Sequence, residues 1–479
     1  MKFTNTIQQN ASLVVMAIFS INLLIFIAAP SGQISDSKYA LLVSQSLLDH
    51  GSIQLDRYNL PKIESHGYQP YQLEIVNNHI FYYFPIGSSI LSVPFVAVAN
   101  LFGVYPINSE KSFGTKAILK FLGTHPVSFD SDHSIEGETI IQRALAALLM
   151  AGLSITLYFL SRLFLPVEWS ILVVFSNVLG TSVLSTASRA LWSHTWSIFL
   201  LGVAVYLVVN SLENKKIIQP FVLATLLSWM YFVRPTSVIS IFAITVLVIV
   251  YFRGSLAIFL ITAIVWVTIF ISYSLYFYDN WLPNYYSASR LGSSTFCEAL
   301  AGNIISPSRG FLVYTPFSIW IALSLAIYFP YLKHKTLIAI SIFAILSHTI
   351  MISTFPHWWG GHSYGPRLMT DIIPWFTMLH IFSIEAMLLH HRNTKSKPGI
   401  VQKMKKIFPV KIHYSIGILM ITFSVILNLR GAFSREPYIW NWHPVDIDTH
   451  PERLWSWEYP QFIAGIIKPP LLEEPSANK

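Results

Sequence analysis

The sequence predicts an all-α polytopic membrane protein. Of its 479 residues, 53% are hydrophobic and only 11% are charged, and the mean hydropathy is +0.54. Soluble globular domains carry about 25% charged residues. Apolar stretches of about 17–25 residues, each long enough to cross the hydrocarbon core as a helix, recur along most of the chain. The bilayer is therefore expected to be the main solvent of this protein.

About eleven apolar stretches have the length of a transmembrane helix. They lie near residues 12–29, 139–161, 168–187, 192–211, 218–234, 236–252, 255–277, 312–331, 336–354, 368–390 and 412–430. This pattern predicts a main transmembrane region over 1–390, a basic loop at 391–411, a last transmembrane helix at 412–430 and a tail at 431–479.

Residues 86–104 form a further apolar stretch, but it contains Pro94 and Asn100. If this stretch lies at the membrane surface, the short basic loops and the segment 391–411, with seven Lys or Arg, fall on the side of the N-terminus. That arrangement follows the positive-inside rule. We therefore expect a surface helix at 86–104, a cytoplasmic N-terminus and a C-terminus on the outer side.

The first outer segment, residues 30–138, is far longer than a simple connector, and loops of that length are usually functional or disordered. After Asp36, apolar positions including Tyr39, Val43 and Leu47 recur at helical spacing between polar ones. This spacing predicts an amphipathic helix that rests on the membrane interface and ends near Gly51.

Asp36 is the first candidate for chemistry because it opens this surface helix. A carboxylate there could deprotonate an acceptor hydroxyl. The alternative is that Asp36 only caps the helix, since Asp is favoured at that position for accepting hydrogen bonds from backbone N–H groups.

The second candidate is the glycine-rich segment 357–367, HWWGGHSYGPR, directly before an expected span. Its glycines permit a close approach of the backbone to a ligand. Arg367 beside His362 suits a phosphate or pyrophosphate group. The alternative is an interfacial aromatic belt with an arginine that extends to the headgroups from a helix end.

Other cations lie at the outer ends of expected spans, where ionisable groups usually face a polar cavity. They are Arg189, His194, Arg234, Arg290 and Arg309. Each alternatively marks only the end of a helix. Arg234 and Arg309 are the strongest of this group because each adjoins a helix-breaking Pro or Gly.

Several kinds of chemistry are disfavoured. The single cysteine, Cys297, excludes an intrachain disulfide and a cysteine-based zinc site or iron–sulfur cluster. Nucleotide-binding and hydrolase motifs are missing from the contexts they require. The polar stretch from His443 to His450 contains ligand residue types, but without a known ligand spacing we interpret it as a surface loop and predict no metal site.

Several short motifs, taken in order, resemble the GT-C superfamily of membrane glycosyltransferases, in the bacterial branch of protein O-mannosyltransferases and lipid A aminoarabinose transferases. The resemblance covers roughly residues 30–390. Its motifs are Asp36-Ser37-Lys38-Tyr39, Tyr82-Tyr83-Phe84-Pro85-Ile86, Gln142-Arg143-Ala144, Tyr278-Asp279-Asn280-Trp281 and Gly365-Pro366-Arg367. Two positions depart from the family pattern: Ser37 and His194 stand where acidic residues are often found.

The resemblance implies a GT-C-like fold with juxtamembrane helices in the first outer loop, in a bacterial inner membrane. It implies inverting transfer of a sugar from a polyprenyl-phosphate donor to a protein, lipid or glycan acceptor, with Asp36 as the base. The residues it leads us to expect around the substrate are Arg367, His362, Arg309, Arg234, His194, Tyr39 and Tyr83. No cofactor beyond the donor is expected; a divalent metal is compatible with such a site but has no support in the sequence.

Two other functions fit the same features. A flippase or transporter of a lipid-linked saccharide also needs cations in an outward cavity, although the inverted repeats of many transporters are not evident. An oligosaccharide ligase or polymerase would use a similar cavity without a simple monosaccharide donor. Nucleic acid is not expected as a partner, because most of the net charge of +8 belongs to the loops that set membrane orientation.

Overall fold

The computed structural model describes residues 2–58, 60, 70–107, 111–122, 136–292, 295–394 and 410–469. Within these ranges the chain is mainly helical, and the strands form one antiparallel hairpin. Parts of the predicted outer segment 30–138, most of the basic loop 391–411 and the end of the tail lie outside the described residues.

The N-terminal half of the chain contains the hairpin and ten helices among the described residues. They are α1 Lys2–Ala28, α2 Ala40–His50, β1 Leu73–Val76, β2 His79–Tyr82, α3 Gly87–Leu101, α4 Phe113–Leu122, α5 Glu136–Arg162, α6 Val167–Leu179, α7 Ser193–Glu213, α8 Pro220–Val233, α9 Val238–Tyr251 and α10 Leu256–Tyr278. A single π turn, Val183–Ala187, lies between α6 and α7.

The C-terminal half is mainly helical up to residue 439 in the part that is described, with a non-helical segment at 353–366. Its helices are α11 Phe296–Ile305, α12 Phe311–Tyr314, α13 Phe317–Ile327, α14 Lys335–Ile352, α15 Ile373–Thr394, α16 Val410–Phe433 and α17 Glu436–Ile439. A 3₁₀ helix, Arg367–Ile372, leads directly into α15.

Seven helical segments in the described part of the chain are long and apolar enough to cross a membrane. They are Ala11–Ala28, Glu136–Arg162, Ser193–Glu213, Arg253–Tyr278, Lys335–Ile352, Arg367–Arg392 and Ile412–Phe433. The prediction of an α-helical membrane protein is therefore confirmed at this level. The predicted number of eleven spans and the GT-C-like arrangement of the helices stay predictions.

Four of the expected spans are shorter helices, for reasons that are visible in the sequence. The stretch 168–187 is interrupted at Gly180, where α6 ends, and 218–234 is separated from 236–252 at Pro235. The stretch 312–331 is divided at Pro316. Proline removes a backbone donor and clashes with the preceding turn, so a continuous helix cannot pass through it without a kink or a break.

Contacts between Cα atoms divide the chain into two compact units. The first unit comprises Met1–Gln33, Leu153–Thr186 and Arg290–Lys479, and the second comprises Ile34–Gly152 and Ala187–Ser289. The boundary inside α5 assigns the beginning of that helix to the second unit and its end to the first.

In the second unit, α2 packs against α3, and α8 packs against α3, α7 and α10. Helix α3 has 15 residues, which at 1.5 Å per residue spans about 22 Å, less than the roughly 30 Å hydrocarbon core. This length favours the predicted surface position of 86–104. Gly87 permits the close packing of α3 on α8, since a Cβ there would meet the carbonyl carbon of Phe232 at 2.5 Å.

Helix α2 differs from the predicted amphipathic helix. It ends at Gly51 in the left-handed conformation, as the sequence predicts, but it begins at Ala40. The side chains of Ala40–Ser46 are all buried, including the polar Gln45, whose Oε1 accepts a hydrogen bond from Asn100 of α3 at 2.9 Å. The first half of this helix therefore lies in a packed core.

In the first unit, α15 packs against α6, α13 and α14, while α16 packs against α6 and α13. A separate cluster of buried aromatic and aliphatic side chains joins the glycine-rich segment 357–367 to the tail. Its largest members are Trp358, Trp359 and Trp440. The tail is thus folded against the same unit that carries Arg367.

Candidate functional site

Asp36 lies in the turn that precedes α2, in the second unit, and does not cap that helix. The residue at the N-cap position is Tyr39, in the left-handed conformation with φ 72°, and no side-chain oxygen of that residue caps the helix. The alternative interpretation of Asp36 as a helix cap is therefore wrong.

The beginning of α2 is capped instead by Glu138, at the start of α5. One carboxylate oxygen accepts a hydrogen bond from the backbone N–H of Tyr39 at 3.0 Å, and the other accepts one from Leu41 at 2.9 Å. Negative charge at a helix N-terminus is favoured by the helix dipole. Glu138 is 1% exposed. Sequence reasoning did not identify this residue.

Several hydrogen bonds within its own unit hold the Asp36 turn. The hydroxyl of Tyr82 donates to the backbone carbonyl of Asp36 at 2.6 Å, and the hydroxyl of Tyr71 donates to Asp36 Oδ1 at 3.3 Å. Gln142 donates to the backbone carbonyl of Ser37 at 2.7 Å. Burial raises the pKa of Tyr82 well above its usual value, so this hydroxyl keeps its proton and stays a donor.

Aromatic rings form a cluster beside this turn. Phe84 lies 6.2 Å from Tyr71, 5.7 Å from Tyr82 and 5.3 Å from Tyr285, measured between ring centroids. Tyr83 packs edge-on against Phe84 and Tyr285. We call Tyr71, Tyr82, Tyr83, Phe84 and Tyr285 the aromatic platform. Tyr71 connects it directly to the Asp36 carboxylate.

Gln142 links the Asp36 turn to the segment that carries Arg189. While its amide nitrogen donates to Ser37, its oxygen accepts a hydrogen bond from the backbone N–H of Leu191 at 3.1 Å. Arg143 follows Gln142 on α5, and Arg189 lies two residues before Leu191. Burial lowers the pKa of Arg189 to about 9, and the positive charge of Arg143 lowers it further.

A buried pair of neighbouring guanidinium groups attracts an anion, because each positive charge destabilises the other when both are removed from water. Arg189 is 1% exposed, and Arg143 is half-buried. We call Arg143 and Arg189 the arginine pair. Both residues were noted in the sequence. Arg143 belongs to a motif that resembles the glycosyltransferase family, and Arg189 is one of the cations at the outer end of an expected span.

Three other predicted site residues of the second unit, Tyr39, His194 and Arg234, are all buried. Tyr39 is buried in the hydrophobic core beneath α2, where its ring packs rather than facing solvent. His194 is buried in the first turn of α7. Arg234 is also buried and donates to the hydroxyl of Ser193, the residue before His194, at 2.9 Å. The structure thus brings Arg234 and the beginning of α7 together.

Arg309 lies in the first unit, where its guanidinium holds the glycine-rich segment to the tail. It donates to the backbone carbonyls of Ser308, Trp359 and Gly361, and to the side-chain oxygens of Asn441 and Gln461. Arg309 is 1% exposed, and burial lowers its pKa to about 10. Because its hydrogen bonds go to internal acceptors, we leave Arg309 out of the proposed ligand-binding set.

Arg367 is half-buried and lies against the glycine-rich segment in the same unit. A Cβ on Gly360 would approach its Nε at 3.1 Å, and Gly360 has a left-handed φ of +73°. The sequence predicted that the glycines of this segment permit the close approach of a ligand. In the structure, the group that lies close to Gly360 is the side chain of Arg367, from the same segment. A role of Arg367 in binding a phosphate stays a prediction.

His362, from the glycine-rich segment, meets two carboxylates of the tail. Its Nε2 lies 2.9 Å from Asp446 Oδ1 and 3.6 Å from Asp448 Oδ2. These ligand-type atoms lie within 4.8 Å of one another, close enough to hold a metal ion together. The interpretation of 443–450 as a plain surface loop missed this arrangement, because the histidine that completes it lies 84 residues before Asp446.

No protein-family model matches this sequence, and no curated protein matches it. The resemblance to membrane glycosyltransferases therefore depends on the quoted motifs and stays a prediction.

Proposed function

We propose that the protein is an inverting membrane glycosyltransferase that moves a sugar from a polyprenyl-phosphate donor to a protein, lipid or glycan acceptor on the non-cytoplasmic face. The observation that carries this proposal is the position of Asp36. Its carboxylate lies at the edge of the aromatic platform, where Tyr71 donates a hydrogen bond to it.

In the proposed reaction, Asp36 removes the proton from an acceptor hydroxyl. The hydroxyl oxygen then forms a bond to the anomeric carbon, while the bond between that carbon and the phosphate oxygen breaks. Polyprenyl phosphate leaves with the electron pair, and the anomeric configuration inverts. General-base catalysis of this kind typically contributes about 10²–10⁴-fold to a rate.

The arginine pair is the proposed binding site for the leaving phosphate. Charge develops on the phosphate oxygens as the glycosidic bond breaks, and fixed cations in a site with little water stabilise that charge most effectively. Gln142 supports this role, because it holds the Asp36 turn and the Arg189 segment through one side chain. A base and a phosphate site are thereby positioned by the same residue.

The aromatic platform is the proposed contact for the sugar or the prenyl chain. Aromatic side chains offer large apolar faces, and tyrosines combine such a face with a polar hydroxyl. Tyr83, a predicted substrate-binding residue, belongs to this platform. His194, Arg234 and Arg367 stay candidates from the sequence, and no cofactor beyond the donor enters the proposal.

The experiment that tests this proposal uses the purified protein in lipid nanodiscs. The protein is incubated with a panel of polyprenyl-phosphate sugars and candidate acceptors, and the release of free polyprenyl phosphate is measured. We expect release from at least one donor, with matching glycosylation of the acceptor. Translocation of an intact donor without release would favour the flippase function and contradict the proposal.

Gln142→Ala provides a more specific test. This variant should lower the rate of release, because it separates the Asp36 turn from the arginine pair. Gln219→Ala is the matched control, since Gln219 precedes α8 and has no hydrogen bond from its side chain to the site. Equal rates for both variants would contradict the proposed coupling through Gln142.

A further inference from the structure

His362, Asp446 and Asp448 lie together in a group of three side chains, which an ion pair alone does not require. The three groups come from two segments that are distant in sequence, the glycine-rich segment and the tail. Their side chains are 20%, 37% and 39% exposed, so an ion from solvent can reach them. The group is independent of the arginine pair and of Asp36, which belong to the other unit.

One of the two distances from the imidazole fits a single small cation, and the other is shorter than such an ion requires. Two donor atoms that bind a tetrahedral zinc ion at about 2.0–2.2 Å lie about 3.3–3.6 Å apart. The observed separations from His362 Nε2 are 2.9 Å to Asp446 and 3.6 Å to Asp448. The separation between His362 and Asp446 must therefore widen by about 0.4–0.7 Å when an ion binds, whereas that between His362 and Asp448 already has the required length.

The carboxylates are also held in place by outer hydrogen bonds, as metal ligands usually are. The indole N–H of Trp359 donates to Asp448 Oδ1 at 2.7 Å, which leaves Oδ2 directed toward His362. The backbone N–H of Asp448 donates to Asp446 Oδ1 at 2.8 Å. His362 itself packs against Trp442, with ring centroids 4.6 Å apart.

The local charge balance also favours a cation. Two carboxylates face one imidazole, so a neutral histidine leaves two negative charges on the group. The positive charges of Arg453 and Arg309 act on Asp446 and Asp448, respectively. Arg453 nevertheless donates its hydrogen bonds to the backbone carbonyls of Trp440, His443 and Val445 rather than to either carboxylate. Neither aspartate is therefore paired with an arginine through a hydrogen bond.

We propose that His362, Asp446 and Asp448 bind one zinc-like divalent cation, which fastens the tail to the glycine-rich segment. A set of one imidazole and two carboxylates suits Zn²⁺ better than Mg²⁺ or Ca²⁺, which prefer oxygen ligands alone. Three protein ligands leave a fourth tetrahedral position for water or another ligand. The cation lies beside the segment that carries Arg367, and Arg309 secures the same segment from its buried side.

The test uses the full chain, without a histidine tag, purified in detergent and treated with a chelator. Zn²⁺ is titrated by calorimetry, and Co²⁺ is used as a visible-absorption probe of tetrahedral coordination. We expect about one ion per chain, with Mg²⁺ unable to compete at similar concentrations. Asp446→Asn and Asp448→Asn should each weaken Zn²⁺ binding at least about tenfold.

The matched control is His450→Gln, which removes a neighbouring histidine of the same tail that pairs with Glu452 instead. This variant should bind Zn²⁺ like the wild type. Circular dichroism of each variant distinguishes a lost ligand from a lost fold. Absence of Zn²⁺ binding by the folded wild type, or equal affinity of the wild type and Asp448→Asn, would overturn the proposal and leave the group as an ion pair. The test requires no sugar donor, so its outcome is independent of the proposed glycosyl transfer.

Discussion

The carboxylate of Glu138 accepts a hydrogen bond from the backbone N–H of Tyr39 at 3.0 Å, across 99 residues of sequence. This contact fixes where α2 begins, and it releases Asp36 from the capping role that its sequence position indicates. The same carboxylate accepts from Leu41 and from Gln142, so the start of α5 organises the whole Asp36 turn.

Replacing Glu138 by Gln should destabilise the protein. The new amide group would place an N–H where the backbone N–H of Tyr39 or Leu41 needs an acceptor, and an unsatisfied buried donor costs about 1–3 kcal/mol. We expect Tm in detergent to fall by on the order of 2 °C. Glu168→Gln, at an exposed position in the first turn of α6, is the control and should leave Tm unchanged. Equal Tm values for the two variants would refute the capping role.

Arg309→Lys should lower stability rather than donor affinity. Lysine has fewer donors and cannot reach the five acceptors that the guanidinium contacts, so we expect a loss on the order of 3 kcal/mol, measured as a fall in Tm. Arg435→Lys, at an exposed position, is the control. Unchanged Tm together with a raised KM for the donor would instead place Arg309 in donor binding.

Gly360→Ala should be more harmful than Gly361→Ala. Both residues have left-handed φ values, +73° and +65°, where alanine costs about 1 kcal/mol. Only at Gly360 would the added Cβ also press on Arg367, because nothing lies within 4 Å of a Cβ at Gly361. The difference between the two Tm values measures the contacts with Arg367 and with Leu368, whose Cγ would lie 3.3 Å from the same Cβ. Identical values would mean that these contacts relax without cost.

The stability of the hairpin region should depend on pH through Glu74. Burial raises the pKa of this carboxyl, and a hydrogen bond from Asn284 opposes the rise only in part. A raised pKa in the folded state means that the protonated form is favoured by folding. The stabilisation is complete below the pKa of the unfolded chain and is lost as pH rises through the folded pKa.

Glu74→Gln imitates the protonated carboxyl at every pH. The variant should therefore gain Tm relative to the wild type as the pH is raised from about 4 to about 8. The measurement is the difference in Tm between the two proteins across that range. A difference that does not change with pH would show that Glu74 titrates normally.

The class of the fold, an α-helical membrane protein, was predictable from hydropathy, because a chain in a bilayer must satisfy its backbone hydrogen bonds within helices. The end of α2 at Gly51 was also predictable, since it depends on a local backbone conformation that glycine favours. The start of α2 was not, because its cap comes from Glu138, far away in sequence. The break at Pro235 was predicted, because 218–234 and 236–252 were expected as separate spans. The interruptions at Gly180 and Pro316 could have been recognised in the same way.

The candidate site was predictable only in its residue types. Asp36, Arg143 and Arg189 each carried a sequence signal, but their link through Gln142 depends on a tertiary contact. Arg309 was assigned to ligand binding because it adjoins a glycine, whereas the structure engages it with internal acceptors. Likewise, Asp446 and Asp448 had no apparent partner until folding brought His362 beside them.

The most direct test of glycosyl transfer compares Asp36→Asn with Asp49→Asn in nanodiscs. Asp49 lies near the other end of α2 and is exposed, so the two variants make the same chemical change in the same region. With an active donor, Asp36→Asn should lose at least about 10²-fold in the rate of polyprenyl phosphate release, because asparagine cannot accept the proton, while Asp49→Asn keeps the wild-type rate. Wild-type release by a folded Asp36→Asn variant would contradict the account.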